Sequence, residues 1–538
     1  MATTSMNRTT PGVYITEYNA FPKSVVGVQT AIPAFIGYTA KAVLDGKSVL
    51  NTPVLINSMA DYRQIFGAEF NTLWDIVPVT PSSGLAIDFT VQNVPYSVLP
   101  ATNQPQFNLY YSMEMFYANG GSTCYVVSVG DYSAAVTAAA LSKGIDAIAY
   151  QTGPTMLVVP EAIYLSVEDY YAITGDMLTQ ASTLQDRVAI FDLLDANTVP
   201  QTLDLDRDLD ACVTQFQSNP ALQNSKSPSY GMAYFPFLNT SIVDTSDINY
   251  TNFQNEAASP PAGWSPPPAS PALSATPTEL QYILTLFNEQ QYPTPDPRQS
   301  QVQSFIDQVV QDPQLHDDPS TVSLNNLLSS ALPQYALLLS IVALKAGVLP
   351  PSPAMAGIFT LNDQNRGVWN APANMSLMSV VSLTVNLNDQ QQGSLNVPVN
   401  GFAIDVIRDF PGRGSVVWGA RTLDGNSQDW RYIQVRRTII YIEQSIKAAI
   451  NQFVFAPNVA STWVAVTQMI SGFLQGLWSQ GGLMGSKASS AFTVLCGVPD
   501  TMTATDILNG YMVVQVTLQM VHPAEFIELQ FRQTMQGT

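Results

Sequence analysis

The sequence predicts a multidomain protein of the mixed α/β and α+β class. Its 538 residues are too many for one ordinary hydrophobic core, so about two to four domains are expected. Between residues 120 and 240, short apolar runs alternate with helical segments, an order typical of an α/β sheet. In the last third, a long helical stripe is followed by alternating apolar residues, which indicates a further α/β domain.

The charge is low in amount and uneven in distribution. Charged residues make up 12% of the chain, about half the usual share, so much of the surface is neutral and suited to being covered by partners. Residues 1–360 contain 11 Lys and Arg against 30 Asp and Glu, whereas residues 361–538 contain 10 against 11. The acidic first two thirds disfavour nucleic acid and anionic membranes as partners, because both are polyanions.

Disulfide, export and membrane signals are not expected here. Cys124, Cys212 and Cys496 are widely spaced and form no CxxC pair, which argues against a disulfide framework or a zinc ribbon. The first 12 residues contain no apolar region of the kind that a secretory signal needs. The longest apolar run, 335–344, is too short to span a bilayer and predicts a buried helix.

The first 240 residues begin with a strand that has no local partner. Residues 12–18 alternate in a short β-prone run well before the first core segment at 31–38, so this strand must pair far away or with another chain. Residues 71–107, rich in Pro, Thr, Ser and Asn, are interpreted as an inserted loop or hairpin. Buried strands are predicted at 124–129, 155–160 and 188–192, and helices around 131–143, 166–182 and 208–216.

A proline-rich stretch divides the middle of the chain. Residues 256–278 contain seven prolines and predict an extended surface excursion, with a PxxP ligand as the alternative. Helical patterns resume at 298–312 and 323–347, and the prolines of 348–353 mark a domain boundary.

The last section has the most regular patterns. Residues 463–477 predict a helix, 512–520 a half-buried strand, and 525–533 a terminal strand. One helical stripe at spacings of three and four is formed by Val435, Ile439, Ile442, Ile446, Ile450 and Phe453.

No catalytic group, cofactor or metal site is predicted. His316 and His522 are the only histidines, and neither lies in a metal-binding or triad motif. Residues 482–487 have the wrong spacing and order for a phosphate loop. The aspartates of 204–210 have calcium-loop spacing, but Leu209 and Gln215 occupy the positions that need a glycine and a bidentate glutamate.

Five arginines lie between Arg413 and Arg437 in a chain otherwise poor in charge. They could bind an anion or form structural ion pairs, and nearby acidic residues favour the ion pairs. The predicted partners are Asp424, Asp429 and Glu443.

The same segment, 412–458, resembles the signature of the contractile tail sheath family. It contains GRGSVVWGARTLDG at 412–425 and FAPN at 455–458. The resemblance continues in TPGVYITE at 10–17, NGG at 119–121 and NRGVWNAPAN at 365–374. The family motif residues in this chain are Trp418, Gly419, Arg421, Thr422, Trp430, Arg431, Arg436, Arg437, Pro457 and Asn458.

The resemblance implies a tail-sheath fold with three parts. These are a conserved C-terminal α/β domain (350–522), an acidic middle α/β region (21–349) with insertions near 71–107 and 240–300, and two extended arms (1–20 and 523–538). The arms are expected to donate strands to neighbouring subunits. The arm residues are Val13, Tyr14, Ile15, Thr16, Ile527, Leu529 and Phe531.

The implied function is mechanical rather than enzymatic. Sheath subunits polymerise around an inner tube and contract to drive that tube through a target cell envelope. The implied partners are other sheath subunits, the inner tube, a baseplate and a tail-terminator or cap protein, with no nucleic acid and no membrane insertion. Assembly is expected in the bacterial cytoplasm, and the particle is either released or membrane-anchored, as part of a phage tail or a tail-like injection system.

Two other classes of function are weighed against this one. A non-contractile shell protein would share the neutral surface and the unpartnered strands. An α/β hydrolase or nucleotide-binding enzyme would place polar clusters at the strand ends of 120–240, and the sequence shows none.

Deletion of residues 1–18 is expected to leave a soluble, folded protein that forms no long sheaths, because the N-terminal strand is lost. Electron microscopy of the purified deletion variant measures this, with the full chain as control. Full-length tubes from the variant would contradict the role of the arm.

Overall fold

The computed structural model describes residues 24–196, 205–253, 278–311, 316 and 318–529, without the side chains of 205–210, 310 and 311. The predicted strand at 12–18, with Val13, Tyr14, Ile15 and Thr16, lies outside the described residues, as do residues 256–277 and Phe531.

The described strands are β1 (Pro33–Gly37), β2 (Val43–Leu44), β3 (Lys47–Ser48), β4 (Val54–Ile56), β5 (Trp74–Pro78), β6 (Phe89–Val91), β7 (Val94–Pro100), β8 (Cys124–Ser128), β9 (Met156–Val158), β10 (Val188–Asp192), β11 (Gly231–Phe235), β12 (Leu238–Thr240), β13 (Val348–Leu349), β14 (Val380–Leu383), β15 (Asp405–Phe410), β16 (Gly414–Val417), β17 (Phe492–Cys496) and β18 (Val514–Leu518).

The described helices are α1 (Met59–Phe66), α2 (Leu109–Ala118), α3 (Ala138–Ala149), α4 (Val167–Leu184), α5 (Leu205–Gln217), α6 (Pro220–Gln223), α7 (Glu279–Gln291), α8 (Pro297–Gln311), α9 (Pro319–Ala331), α10 (Pro333–Ala346), α11 (Ser352–Arg366), α12 (Asp389–Asn396), α13 (Ile433–Ile450), α14 (Ala460–Ser479), α15 (Ala488–Ala491) and α16 (Ala504–Leu508).

The central element is an eight-stranded sheet with the order β16-β15-β11-β10-β9-β1-β8-β4. The inner strands from β15 to β8 run parallel, while the two edge strands, β16 and β4, pair antiparallel. Every residue of β1, β8, β10 and β11 is buried, as expected for parallel strands that helices cover on both faces. The predicted strands at 124–129, 155–160 and 188–192 are therefore confirmed.

The helix predicted around 131–143 begins later than expected. α3 starts at Ala138, because the Thr137 side chain accepts a hydrogen bond from the backbone N–H of Ala140 at 3.3 Å and caps the helix there. The residues before it turn through Asp131, whose carboxylate accepts hydrogen bonds from Ser133.

The domain boundary predicted at 349/350 differs from the structure. β15 and β16 extend the sheet formed by the first 240 residues, so residues 350–440 share one hydrophobic core with them. The described residues divide instead inside α13, into an α/β unit (within 29–440, and 523–529) and a C-terminal unit (24–28 and Tyr441–His522). The helical pattern of 435–453 did not reveal this division, because a continuous helix passes through it.

The two predicted insertions assemble with each other. β5, β7 and β6 form an antiparallel sheet that confirms a hairpin within 71–107. Its apolar face packs in a second core with α7, α8, α9 and α10, which belong to the second insertion and the residues that follow it. The described parts of both segments are therefore packed structure, and together they form one subdomain.

The long apolar run at 335–344 lies in α10 and buries Tyr335, Leu338 and Val342, as the sequence predicts. No described helix alone has the length and apolar character needed to cross a membrane; α9 and α10, bent by 117°, satisfy those criteria only as a pair.

The C-terminal unit is built on α14 and a small sheet. α14 buries one stripe, formed by Val466, Met469, Ile470, Leu474 and Leu477. β17 packs against this helix and pairs antiparallel with β18, which confirms the strand predicted at 512–520. Residues 24–28 also belong to the C-terminal unit, since the backbone N–H of Val28 donates to Ser445 Oγ at 3.1 Å.

The terminal strand predicted at 525–533 is not formed in its described part. Residues 521–529 have no regular secondary structure, and Phe526, Ile527 and Leu529 are 76%, 78% and 74% exposed. Strand donation requires a second copy of the chain, so the donation of the strand at 525–533 stays a prediction.

Two buried carboxyl groups lie at helix N-termini along the carboxyl edge of the large sheet. Glu161 accepts hydrogen bonds from the backbone N–H groups of Tyr38 at 2.8 Å and of Asn108 and Leu109 at 3.3 Å, at the start of α2. Burial raises the pKa of Glu161 to about 8, although those hydrogen bonds oppose the shift.

The second group, Asp192, accepts a hydrogen bond from the Ser352 backbone N–H at 2.7 Å and contacts Ser352 Oγ at 2.5 Å, at the start of α11. Burial raises the pKa of Asp192 to about 7, against the opposing effect of the Ser352 hydrogen bonds.

Asp192→Asn is expected to weaken the pH dependence of folding. The pKa of Asp192 is higher in the folded chain than its ordinary value of 3.8. Its stabilising contribution to the free energy of unfolding is therefore complete below about pH 4 and is lost as pH rises through about 7. The loss is up to about 4 kcal/mol. Asn keeps both contacts with Ser352 without titrating.

Urea denaturation of the full chain at pH 5 and pH 8 measures this difference, and Asp176→Asn, on the exposed face of α4, is the matched control. An identical loss of unfolding free energy between the two pH values in D192N and the wild type would contradict the assignment.

Candidate functional site: the arginine-rich segment and the C-terminal segment

The segment 412–458 begins in the turn of the β15–β16 hairpin. Gly412 and Gly414 have φ angles of 76° and 69°, a left-handed conformation that glycine adopts at little cost. Between them, the Arg413 backbone N–H donates to the Phe410 carbonyl at 3.0 Å, and its guanidinium reaches the Asn374 carbonyl at 3.4 Å. The first of the five arginines is thus part of a turn.

The next motif residues bring the chain very close to β15. The Trp418 ring packs on Phe410 with centroids 4.6 Å apart, and Trp418 remains 39% exposed. A Cβ at Gly419 would lie 2.5 Å from Asp405 Oδ1, so no larger residue fits. This approach lets the Arg421 backbone N–H donate to Asp405 Oδ1 at 2.8 Å.

Asp405 is buried at the start of β15. Burial raises its pKa well above the ordinary value, while the hydrogen bond and positive charge of Arg421 oppose the shift. Arg421 is therefore bound to the large sheet through its backbone, which leaves its side chain to make other contacts.

The Arg421 guanidinium makes a bidentate ion pair with Glu525 in the C-terminal segment. Nε donates to Oε1 at 2.9 Å and Nη2 to Oε2 at 2.7 Å, while Nη1 donates to the Gly425 carbonyl at 3.1 Å. The two side chains are only 4% and 20% exposed. A bidentate pair with little exposure is among the stronger charge-assisted contacts in proteins.

Two further groups complete the shell of Glu525. The Tyr432 hydroxyl donates to Oε2 at 3.0 Å, and the Asn396 amide donates to Oε1 at 2.6 Å. Burial alone would raise the pKa of Glu525, but the hydrogen bonds from Arg421, Asn396 and Tyr432 outweigh it and lower that pKa. We call Arg421, Asn396, Tyr432 and Glu525 the Glu525 clamp.

The loop between Arg421 and Tyr432 is closed by backbone pairing. Thr422 donates through its backbone N–H to the Arg431 carbonyl at 2.8 Å and through its hydroxyl to the Trp430 carbonyl at 2.7 Å. Arg431 Nε donates to the Ser427 carbonyl at 2.7 Å. These contacts hold Tyr432 in reach of Glu525.

Arg436 is enclosed by aromatic rings. Its guanidinium lies 3.6 Å from the Trp430 ring centroid and 4.2 Å from that of Tyr230, and it donates to Ser229 Oγ at 2.6 Å. Its positive charge also opposes the rise that burial causes in the pKa of Asp424. The predicted ion pair between Asp424 and an arginine of this segment stays a prediction.

Arg437 makes a buried ion pair that the sequence did not indicate. Its Nη1 and Nη2 donate to the two carboxylate oxygens of Asp363 at 2.9 and 2.7 Å, and Nη2 also donates to the Thr30 carbonyl at 3.0 Å. Both charged side chains are less than 5% exposed. The Phe359 ring lies 4.6 Å from the guanidinium.

The prediction of structural ion pairs in this segment is therefore confirmed, but Asp363 and Glu525 were missed as partners. Asp363 lies 74 residues before Arg437, and Glu525 lies 104 residues after Arg421, so neither is close in sequence. A usable signal was the position of Glu525 between the apolar residues Ala524 and Phe526.

Pro457 and Asn458 lie elsewhere, at the start of α14 in the C-terminal unit. Asn458 accepts a hydrogen bond from the Trp463 indole at 2.6 Å and donates to the Tyr511 carbonyl at 2.9 Å. The Pro457 carbonyl accepts from the Thr462 hydroxyl at 2.7 Å. The motif residues thus form several structural contacts rather than one pocket.

Within the part of the chain that the structure describes, no three His, Cys, Asp or Glu side chains converge as a metal site requires.

Asp363→Ala is expected to destabilise the α/β unit by about 3–5 kcal/mol, because it leaves the Arg437 guanidinium buried without its carboxylate. The matched control is Asp389→Ala, which removes the acid of an ion pair with Arg408 whose carboxylate is 93% exposed, and it should have little effect. Denaturant unfolding monitored by circular dichroism compares the two variants. Equal stability of D363A and D389A would contradict the importance of the buried pair.

Comparison with known proteins identifies related folds over nearly the whole chain. The chain resembles the sheath of an extracellular contractile injection system, PVC, in its contracted state, with 26% identity, a TM-score of 0.54, and coverage of 98% of this chain and 99% of the other. It also resembles chains of the anti-feeding prophage (AFP) helical sheath in the contracted state and of the AFP baseplate. These match at 24% and 23% identity, each with a TM-score of 0.56, 98% coverage of this chain and 100% of the other.

No curated protein sequence matches the chain. A sequence model of the phage tail sheath C-terminal domain, however, matches residues 426–534, a range that begins inside the arginine-rich segment and includes Glu525. The expected resemblance is therefore confirmed: residues 426–534 match the phage tail sheath C-terminal domain, and the chain as a whole has the fold of the contractile sheath proteins.

Proposed function

We propose that this protein is the structural subunit of a contractile sheath, which polymerises around an inner tube and contracts to drive the tube through a target cell envelope. The observation that carries the proposal is the likeness to the contracted PVC sheath over 98% of the chain. The matched C-terminal domain supports it independently, because it was identified from sequence alone. The role is structural, and two arginines of the segment that could have bound an anion, Arg421 and Arg437, instead form ion pairs within the chain.

The partners follow from this role. Other copies of the chain form the helical rings, an inner tube fills them, and baseplate and terminator or cap proteins contact the two ends. We place assembly in the bacterial cytoplasm, before the particle is released or anchored in a membrane. Both a phage tail and a tail-like injection particle are compatible with the chain.

The C-terminal unit offers an acceptor for a donated strand. Among the described residues, β17 and β18 form a two-stranded sheet, and the edge of a sheet is where a further strand can pair. The exposed Phe526, Ile527 and Leu529 lie in a segment without regular structure. We assign this C-terminal arm (523–538) to the edge of the β17–β18 sheet in a neighbouring copy, where backbone hydrogen bonds and apolar burial would order it.

α14 has a surface suited to close contact with a neutral partner. The helix contains no ionisable side chain, and its exposed positions include Val464, Gln468, Gly472 and Gln475. Covering such a face does not require the desolvation of a charge. We propose this face as the tube-facing surface of the inner domain.

Contraction without nucleotide hydrolysis requires an assembly with two packed states of different free energy. Strands donated by the arms can keep subunits connected while the bodies of those subunits rotate. The subunits would therefore move as rigid bodies, with the arms acting as the flexible connections.

Negative-stain microscopy of the purified full chain tests this function. Hollow cylinders that occur in an extended and a contracted length are expected. Closed shells without a length change would favour the non-contractile alternative, and dispersed monomers with measurable turnover of a hydrolase substrate would favour an enzyme.

Leu529→Asp tests the assignment of the C-terminal arm within that function. A charge on the apolar side of the added strand is expected to shorten or abolish the cylinders, because the carboxylate would have to be desolvated against the acceptor sheet. Leu508→Asp, at an exposed position of α16 (86% exposed), is the matched control. Unchanged cylinder length in L529D would count against strand donation by this segment.

A further inference from the structure

The C-terminal arm leaves the α/β unit at a well-defined point. Glu525 has a side chain only 20% exposed, whereas Phe526 and Ile527, which follow it directly, are more than 70% exposed. Residues 523–529 have no regular secondary structure that could fix them through backbone pairing. Glu525 therefore lies where the chain changes from partly buried to exposed.

The Glu525 clamp collects donors from three separate parts of the α/β unit. Arg421 follows β16, Asn396 ends α12, and Tyr432 directly precedes α13. Together they give the carboxylate four hydrogen bonds of 2.6 to 3.0 Å. Because these donors come from different elements, the carboxylate is restrained in several directions at once.

The clamp is connected to the large sheet by a short series of hydrogen bonds. Glu525 binds the Arg421 side chain, and the Arg421 backbone N–H binds Asp405, the first residue of β15. β15 in turn pairs with β11 inside the eight-stranded sheet. A force on the arm would therefore reach the sheet through three side chains, those of Glu525, Arg421 and Asp405.

We propose that the Glu525 clamp is the anchor of the C-terminal arm, which transmits tension from a neighbouring subunit into the eight-stranded sheet of its own subunit. The proposal rests on the proposed function, since it assigns the arm to a second copy of this chain. It identifies Arg421 and Glu525 as the residues that hold the arm in position on its own α/β unit.

The first experiment measures the anchor in the unassembled full chain. Chymotrypsin cleaves after Phe526, and cleavage requires the surrounding residues to detach from the unit. Arg421→Lys, which keeps the charge but not the bidentate geometry and leaves the arm sequence intact, is expected to raise the cleavage rate about tenfold or more. Tyr432→Phe, which removes one hydrogen bond, should give a smaller increase.

The control is Arg408→Lys, which alters another arginine of the same unit that pairs with an exposed carboxylate. The melting temperature separates an anchor from a general structural role. An anchor variant detaches the arm while the α/β unit melts within a few degrees of the wild type. If R421K and Y432F are cleaved at the wild-type rate, the anchor is refuted.

The second experiment measures the anchor in the assembly. Cylinders of R421K and of Glu525→Gln are expected to come apart at a lower urea concentration than those of the wild type and of R408K. Cylinders of equal resistance, despite faster cleavage in the unassembled variants, would overturn the role in tension. Failure of the wild-type chain to form any cylinder would instead refute the proposed function, and the cleavage rates would still decide whether the arm is clamped.

Discussion

The pairing of β11 with β15 is the constraint on which the rest of the structure depends. Tyr234 and Phe235 lie opposite Asp405 and Val406, so segments about 170 residues apart along the chain become neighbours in one sheet. This pairing positions the β15–β16 hairpin, and the hairpin delivers Arg421 to Asp405. The ordering cost of such a distant contact is offset by the burial of parallel strands on both faces.

The α/β unit also shows how helix N-termini beside a parallel sheet can be occupied by side chains of the same protein. In open parallel sheets, ligands usually bind at the carboxyl ends of the strands, often against a helix N-terminus. Here two such N-termini, those of α2 and α11, bind Glu161 and Asp192 of the same chain. The backbone N–H groups at both helix N-termini are thus used to hold the core together, and the two carboxyl groups act as internal ligands.

Local patterns predicted much of this structure, whereas long-range pairing was beyond them. The strands at 124–129 and 188–192 and the helix at 335–344 were predictable, because burial and periodicity act over a few residues. The arginine-rich segment was recognised as a site of ion pairs, yet the partners Asp363 and Glu525 depend on tertiary contacts that leave no local pattern. The division inside α13 was missed for the same reason, since a helix looks continuous whichever body each half belongs to.

The subdomain built from the two insertions has a consequence for how such proteins diversify. Its core joins Trp74, Val91 and Val98 from one segment with Ile283, Phe287 and Val342 from another, so neither segment can bury its apolar residues alone. Gain or loss of this module must therefore involve both segments together, as a coupled pair of changes at distant places in the gene. A chimera that transfers the module to another scaffold has to graft both segments at once.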